Sequence, residues 1–309
     1  MGWIYNASPE VTAQSSYPAI LAVCLVLTTI MTIVVSLRIY IHVRSRRLAA
    51  DDYVIFMSMI FSIIYNATCI TQTRYGLGLP LDARPKANLS TYLKVNFAGR
   101  PFYQLGIAGF KAALCISYLR LLSGTSERFY KTLIWVVGII STLGHIAGAI
   151  VLIVNCRPVR ASPGRNRYKK EFQKLILTLV FQVEASWNSD IKGTCLPFGP
   201  TNYGLAGFTI ACDVVIIALP IPLLLKLNIR TAQKTGLVCL FVLGILTTIC
   251  SIMRITQVPV IAYGDGNSTQ LVLWGTIEFN VGVSLASVYP ILGTDISRFD
   301  SIMLIFSPM

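Results

Sequence analysis

The sequence predicts an all-α, polytopic membrane protein of seven transmembrane helices, with the N-terminus outside and the C-terminus cytoplasmic. Three observations carry this. Of 309 residues, 54% are hydrophobic and 13% charged, the balance of a multi-pass membrane chain. Apolar runs of about 20 residues, the length that crosses a bilayer, recur along the whole chain. Basic residues cluster beside alternate ends of those runs, as the positive-inside bias requires. No polar stretch approaches the roughly 100 residues of a soluble domain. The net charge of +13 would suit a nucleic-acid binder in a soluble chain. Beside apolar runs it is explained by topology and lipid headgroups, so the expected partner is the lipid bilayer and not nucleic acid.

The elements follow in order. Residues 1–18 form an outer segment without a basic n-region, so the run 19–42 is expected to be a retained first span rather than a signal peptide. Arg44, Arg46 and Arg47 follow it on the cytoplasmic side. Span two, 53–73, begins after Asp51 and Asp52, which complement the helix dipole, cap free amides and lie near Arg46 and Arg47. Its exit, Arg74–Tyr–Gly–Leu–Gly78, reads as a turn, because no strand precedes it and no Gly-Lys-Ser/Thr follows. Span three, 98–122, carries Lys111 inside and Arg120 at its inner end, where a long basic side chain reaches the interface. Spans four to seven are 132–154 with His145, 203–227 with Asp213, 235–263 with Arg254, and 271–292 with Glu278 and Asn280. Pro220 and Pro222 are expected to bend span five. Residues 293–309 make a short cytoplasmic tail. The sequons at Asn6, Asn88 and Asn267 all fall on the outer side, where N-glycosylation occurs; Asn66 lies within span two and is expected to be unused.

One loop breaks the pattern. In the outer loop 155–202, between Pro158 and Val183, sit Arg160, Arg165, Arg167, Lys169, Lys170 and Lys174, six basic residues on the outer side, against the inside bias. Joining Pro158 to Val183 gives a compact loop, CRPVEASWNSDIKGTC. The codons for 159–160, 177–178 and 181–182 can encode a splice donor, branch point and acceptor. Residues 159–182 are therefore expected to be a retained intron, the alternative being a genuine basic loop. Without them the net charge falls from +13 to +8.

Of the cysteines, Cys24, Cys69, Cys115, Cys212, Cys239 and Cys250 lie in apolar runs and are expected to pack there. Cys156 and Cys195 flank the outer loop, which faces an oxidising compartment, and are expected to form a disulfide. His42 and His145 are far apart and no zinc-type spacing exists, so no metal is expected.

The junction from Arg38 to Asp51–Asp52–Tyr53, RYGLG at 74–78, Lys111 with SYLRLL at 117–122, Cys156-Arg-Pro158, Trp187, Cys195, Asp213 with LPIPLLLKL, Arg254 and IEFNVGV at 277–283 belong together. From about residue 38 to 290 the chain resembles the fungal rhodopsin-domain family of integral membrane proteins, the satratoxin-cluster-type family. The tail after Pro290 departs from that family's usual exit. A retinal protein needs a lysine on span seven for its Schiff base, and 271–292 contains none. Light sensing through that linkage is excluded and no cofactor is expected.

Charges inside a bilayer cost at least about 2.5 kcal/mol each and are usually paired or functional. At 1.5 Å rise per residue, Lys111, His145, Asp213, Arg254, Glu278 and Asn280 come out roughly 10 to 20 Å below the outer face. They are expected to form one buried polar cluster of two acids and two bases. One reading is an outward-opening pocket for a lipophilic small molecule, with Asp213 and Glu278 as candidate catalytic acids. The other is a structural ion-pair network that sets helix register. The family resemblance favours a membrane component of secondary-metabolite, mycotoxin-type biosynthesis. A seven-span receptor for an external ligand is the alternative, and a transporter ranks third because no inverted repeat is evident.

Overall fold

Each membrane-length apolar run becomes a helix, because a helix satisfies its own backbone groups where water is absent. The computed structural model describes residues 2–122, 127–158, 193–219, 221 and 231–293. A short helix, α1 (Pro9–Gln14), precedes α2 (Tyr17–Arg44) and α3 (Ala50–Arg74). Two single 3-10 turns then lead into α4 (Leu89–Leu121), followed by α5 (Arg128–Ile153). Strands β1 (Cys156–Pro158) and β2 (Gly193–Cys195), helix α6 (Phe198–Ala218), α7 (Thr231–Thr256), α8 (Val258–Tyr263) and α9 (Thr269–Gly293) complete the order. Seven of these, α2 to α7 and α9, are long and apolar enough to span a membrane. The expected kink at Pro220 and Pro222, residues 159–192 and the tail from 294 lie outside the described residues.

Two spans form the centre. The apolar windows of α4 and α9 are 67% and 61% buried, against 22–39% for the rest. The peripheral spans present large apolar side chains outward, among them Leu25, Ile33, Trp135, Leu143 and Val214, as a lipid-facing surface must. The centre is where α4 runs beside α9, and Gly106 lets them touch: a Cβ there would fall 1.7 Å from Phe279 Cζ. Phe279 packs in turn with Tyr65 and Tyr103.

α4 starts at Leu89, nine residues before the expected start at 98. Residues 89–97 carry Lys94 and Asn96, so they fall short of a hydropathy threshold, yet they continue the helix above the apolar zone. α7 ends at Thr256, and the chain restarts as α8 across Pro259, whose ring clashes with the preceding turn of a continuous helix. RYGLG is the turn the sequence predicts: Gly76 and Gly78 have φ of 113° and 105°, a region open to glycine.

The N-terminal segment lies across this turn. Trp3 donates to Thr73 at 2.9 Å, the Arg74 guanidinium sits 4.0 Å from the Trp3 ring centre, and Ser16 N donates to Gly78 O at 3.1 Å. We call this end of the bundle the N-terminal face. Also at this face, β1 and β2 pair antiparallel with Cys156 opposite Cys195. Leu196 N donates to Asn155 O at 2.9 Å, which makes 155/196 a hydrogen-bonded pair and Cys156/Cys195 the adjacent, closer, non-hydrogen-bonded one. The side chains of these two cysteines lie outside the described residues.

Candidate functional site: a cavity over a charged floor

α4 supplies one wall. Its residues Tyr92, Asn96, Arg100, Tyr103, Ile107 and Lys111 recur at three- and four-residue spacing and so share a face. The upper part of this stripe, together with α3, α6, α7, α9 and the end of α5, encloses a cavity of about 310 Å³ at the N-terminal face. That is within the range of small-molecule sites. Apolar side chains dominate the walls, and Arg84, Arg100 and Arg254 line it too.

The floor is Arg254 with Tyr103. The Arg254 guanidinium carbon lies 4.9 Å from the Tyr103 ring centre. Tyr103 donates to Glu278 Oε2 at 2.9 Å, and Arg254 Nε lies 3.4 Å from the same oxygen. Glu278 is fully buried and does not line the cavity: it sits behind the two side chains that do.

A second pair lies beside it. Lys111 Nζ meets Asp213 Oδ1 at 3.0 Å and donates to Thr209 O at 3.2 Å, while Ser251 donates to Asp213 Oδ2 at 3.2 Å. Thr209 and Asp213 are one turn apart on α6, and Ser251 and Arg254 one turn apart on α7, so the two pairs adjoin. Asp213 and Glu278 both act electrostatically on Arg254. His145 packs on Phe208 and engages Ser141 O at 2.8 Å through Nδ1, within the field of Lys111 and Arg254.

Five of the six expected cluster residues therefore come together as two acid–base pairs and a histidine. Asn280 does not join them. It faces α3, where Ser62 and Asn66 donate to its Oδ1 at 3.2 and 3.1 Å, and Asn66 also bonds Thr28 at 2.6 Å. The reason is angular: at 100° per residue, positions 278 and 280 lie about 200° apart around a helix. Asn66, read from sequence as an idle sequon, is a member of this buried amide network.

Several polar atoms of the charged floor are buried without a hydrogen bond, namely Arg254 Nε, Glu278 Oε1 and His145 Nε2. Buried polar groups are normally satisfied; of these three residues only Arg254 lines the cavity, and its Nε lies 3.4 Å from Glu278 Oε2.

The opposite end of the bundle holds a network the sequence reading treated as a cap. Arg38, fully buried, binds Asp51, Asp52 at 2.8 Å, and the Ala286 carbonyl of α9. His42 Nδ1 lies 2.8 Å from Asp52, which also accepts from Ala49 N at 2.9 Å as a cap. Asp51 accepts from Ser117 at 3.3 Å and faces Arg120 at 3.6 Å. The carboxylates thus serve Arg38 and His42 in addition to capping α3, in place of the expected Arg46 and Arg47. The signal was present in sequence: Arg38 and His42 are one helical turn apart, four residues, on the face toward α3.

The sequons differ in their surroundings. Asn6 is exposed and donates to Asn88 at 2.8 Å. Asn88 is buried and donates to Tyr5 O at 2.6 Å. Asn267 accepts from the amide and hydroxyl of Thr269, the first residue of α9.

Fold and site together define an integral multi-pass membrane protein, seven helices around a charged centre, with a ligand-sized cavity at one face. The model of the fungal rhodopsin domain matches residues 37–294. The chain belongs to that family. No curated protein matches it.

Proposed function

We propose that this protein works in a secondary-metabolite, mycotoxin-type biosynthetic pathway, as the satratoxin-cluster-type resemblance implies, and that it handles a lipophilic intermediate in the cavity at the N-terminal face. The observation that carries the reading is the cavity itself: about 310 Å³, mostly apolar, floored by Arg254 and Tyr103. Of the two forms of the proposal, holding an intermediate and converting it, the geometry favours holding. Neither candidate acid lines the cavity. Asp213 is paired with Lys111, and Glu278 is screened by Tyr103 and Arg254, so a general acid would first have to part from its base.

The orientation that goes with this reading puts the N-terminal face outside the cytoplasm. Its support is the set of basic residues at the other ends of the spans, Arg44, Arg46, Arg47, Arg128 and Lys131, in short loops where such residues favour the cytoplasm. The register of β1 with β2 supports a Cys156–Cys195 disulfide there, since non-hydrogen-bonded cross-strand pairs bring Cα atoms to about 4.5 Å, inside the range a disulfide spans. We keep residues 159–182 as a retained intron. Sequencing spliced transcripts tests that part alone: a dominant cDNA containing those codons overturns it.

A receptor for an external ligand is the second reading. It draws on the opposite face, where Arg120, with a 38% exposed side chain, reaches Asp51 at 3.6 Å, a contact that movement of α4 under a bound ligand would break.

Metabolite profiling of a deletion strain separates the readings. Biosynthesis predicts a lost or accumulated compound restored by the wild-type gene. An unchanged profile with a lost response to an external compound favours the receptor. Complementation with Asp213→Asn and Glu278→Gln then distinguishes holding, in which folded variants restore product, from conversion, in which they do not.

A further inference from the structure

The cavity wall has a charge imbalance. Three guanidinium groups line it, from Arg84, Arg100 and Arg254, and no carboxylate does among the described residues. Arg254 is balanced from behind by Glu278. Arg84 and Arg100 are not, because no described carboxylate lies within ion-pair distance of either. Arg84 is buried, held by the carbonyls of Leu79 at 3.0 Å and Gly266 at 3.3 Å, and stacked 4.5 Å over the Tyr92 ring. Those bonds use two of its five N–H donors. Arg100 donates to Asn96 Oδ1 at 3.2 Å, one of five. Both side chains are thus fixed in place by neutral partners, with donor capacity left over.

Two fixed, uncompensated cations in a mostly apolar enclosure are costly when empty. Their chemistry also suits a planar or tetrahedral anion, since a guanidinium forms parallel bonds to carboxylate, phosphate or sulfate oxygens. The remaining walls, from Leu93, Leu205, Val258, Ile261, Leu271 and Val272, suit a compact hydrocarbon or aromatic body. We infer that the cavity binds an anionic amphiphile, its acidic group on Arg84 and Arg100 and its apolar body between α4, α6, α7 and α9. This rests on the proposal that the cavity is the ligand site, and it narrows that proposal to lipophilic acids.

The test uses the full chain in phosphatidylcholine nanodiscs and equilibrium dialysis of two probes of one shape, 2-naphthoate and neutral 2-naphthamide. The acid is expected to bind at least about tenfold more tightly than the amide, the scale of a hydrogen-bonded charge contact. Arg84→Gln and Arg100→Gln are each expected to erase most of that preference, weakening the acid far more than the amide. Gly275→Leu is expected to block both probes, because a side chain there points at Tyr65, Tyr103 and Arg254. The acid–amide comparison in the unmodified protein stands even where an arginine variant fails to fold.

Equal binding of acid and amide, both blocked by Gly275→Leu, overturns the anionic class and leaves the cavity as a ligand site. No binding of either probe, or binding indifferent to Gly275→Leu, removes the cavity reading and this inference with it. Adding phosphatidylserine to the nanodiscs identifies the source of the anion. Displacement of naphthoate by the lipid assigns a headgroup, and undiminished binding assigns a free acid; both keep the anionic class.

Discussion

Replacing the two members of the Lys111–Asp213 pair singly and together decides whether Asp213 is a structural ion or a working one. At 3.0 Å and an effective dielectric of about 20, the attraction is about 5 kcal/mol. Removing both ions from water costs several kcal/mol each, so the intact pair is close to neutral in net stability. Deleting one partner leaves the other charge stranded, at about 3–5 kcal/mol, with a further ~1 kcal/mol for each hydrogen bond lost to Thr209 or Ser251. Lys111→Met and Asp213→Asn are therefore each expected to lower the thermal unfolding midpoint of the solubilised protein sharply. The double variant Lys111→Met/Asp213→Asn, which leaves no buried charge, is expected to recover most of the loss. The assay is a thermal challenge followed by size-exclusion detection of the folded fraction, run on all four proteins as a double-mutant cycle. If the double variant is as unstable as the two singles summed, the pair does not act as a unit and the electrostatic argument fails. If Asp213→Asn is fully stable but cannot restore metabolites in a deletion strain, the carboxylate is functional and the structural account of it is wrong.

Three further outcomes are expected. Gly106→Ala places a Cβ on Phe279 and should cost at least the ~1–3 kcal/mol of overpacking, while Gly106→Ala/Phe279→Ala regains folded yield on size exclusion. Arg38→Met strands two carboxylates at the opposite face and should destabilise by about 3–5 kcal/mol, more than His42→Ala, in the same thermal assay. In a Cys239→Ser background, a thiol-reactive polyethylene glycol should label the native protein at neither Cys156 nor Cys195 before reduction, and either single serine variant should expose the remaining thiol, since the buried Cys24, Cys69, Cys115, Cys212 and Cys250 are shielded from reagent.

The sequence carried the architecture because a bilayer reduces the choice of structure to length and polarity. Helix spans announce themselves as apolar runs, and a glycine pair such as Gly76 and Gly78 marks the turn between them. What it carried less well follows from the same cause. Residues 89–97 fall short of an apolar run because Asn96 lines the cavity and Lys94 is exposed, so the sequence places the start of the most buried span too late. The charged cluster was found from depth alone, and depth cannot tell which side of a helix a residue faces. Glu278 and Asn280 share a level and separate by half a turn, one toward Tyr103 and Arg254, the other toward Asn66. Arg38 enters the sequence reading only as part of the family resemblance, because it stands among apolar residues close to a cluster of basic ones; packing reveals that Arg38, and not Arg46 or Arg47, reaches Asp51 and Asp52.

Both polar networks keep an atom without a hydrogen bond, Asp51 Oδ1 at the opposite face and Arg254 Nε, Glu278 Oε1 and His145 Nε2 beside the cavity, and they differ in what holds their cations. At the opposite face Arg38 joins α2 to both carboxylates of α3 and to the backbone of α9, so displacing any one of these helices breaks charge-assisted bonds to the others. A ligand arriving there would have to compete with partners already in place. At the N-terminal face Arg254 Nε, Glu278 Oε1 and His145 Nε2 are buried without hydrogen bonds, and two cavity arginines are held only by neutral groups. An acidic group entering the cavity meets the remaining donors of Arg84 and Arg100 without displacing a carboxylate, which is the condition under which a binding site adds affinity at little reorganisation. α4 belongs to both ends, carrying Arg100 and Tyr103 into the cavity and Ser117 and Arg120 to Asp51. It is the span that the two ends have in common.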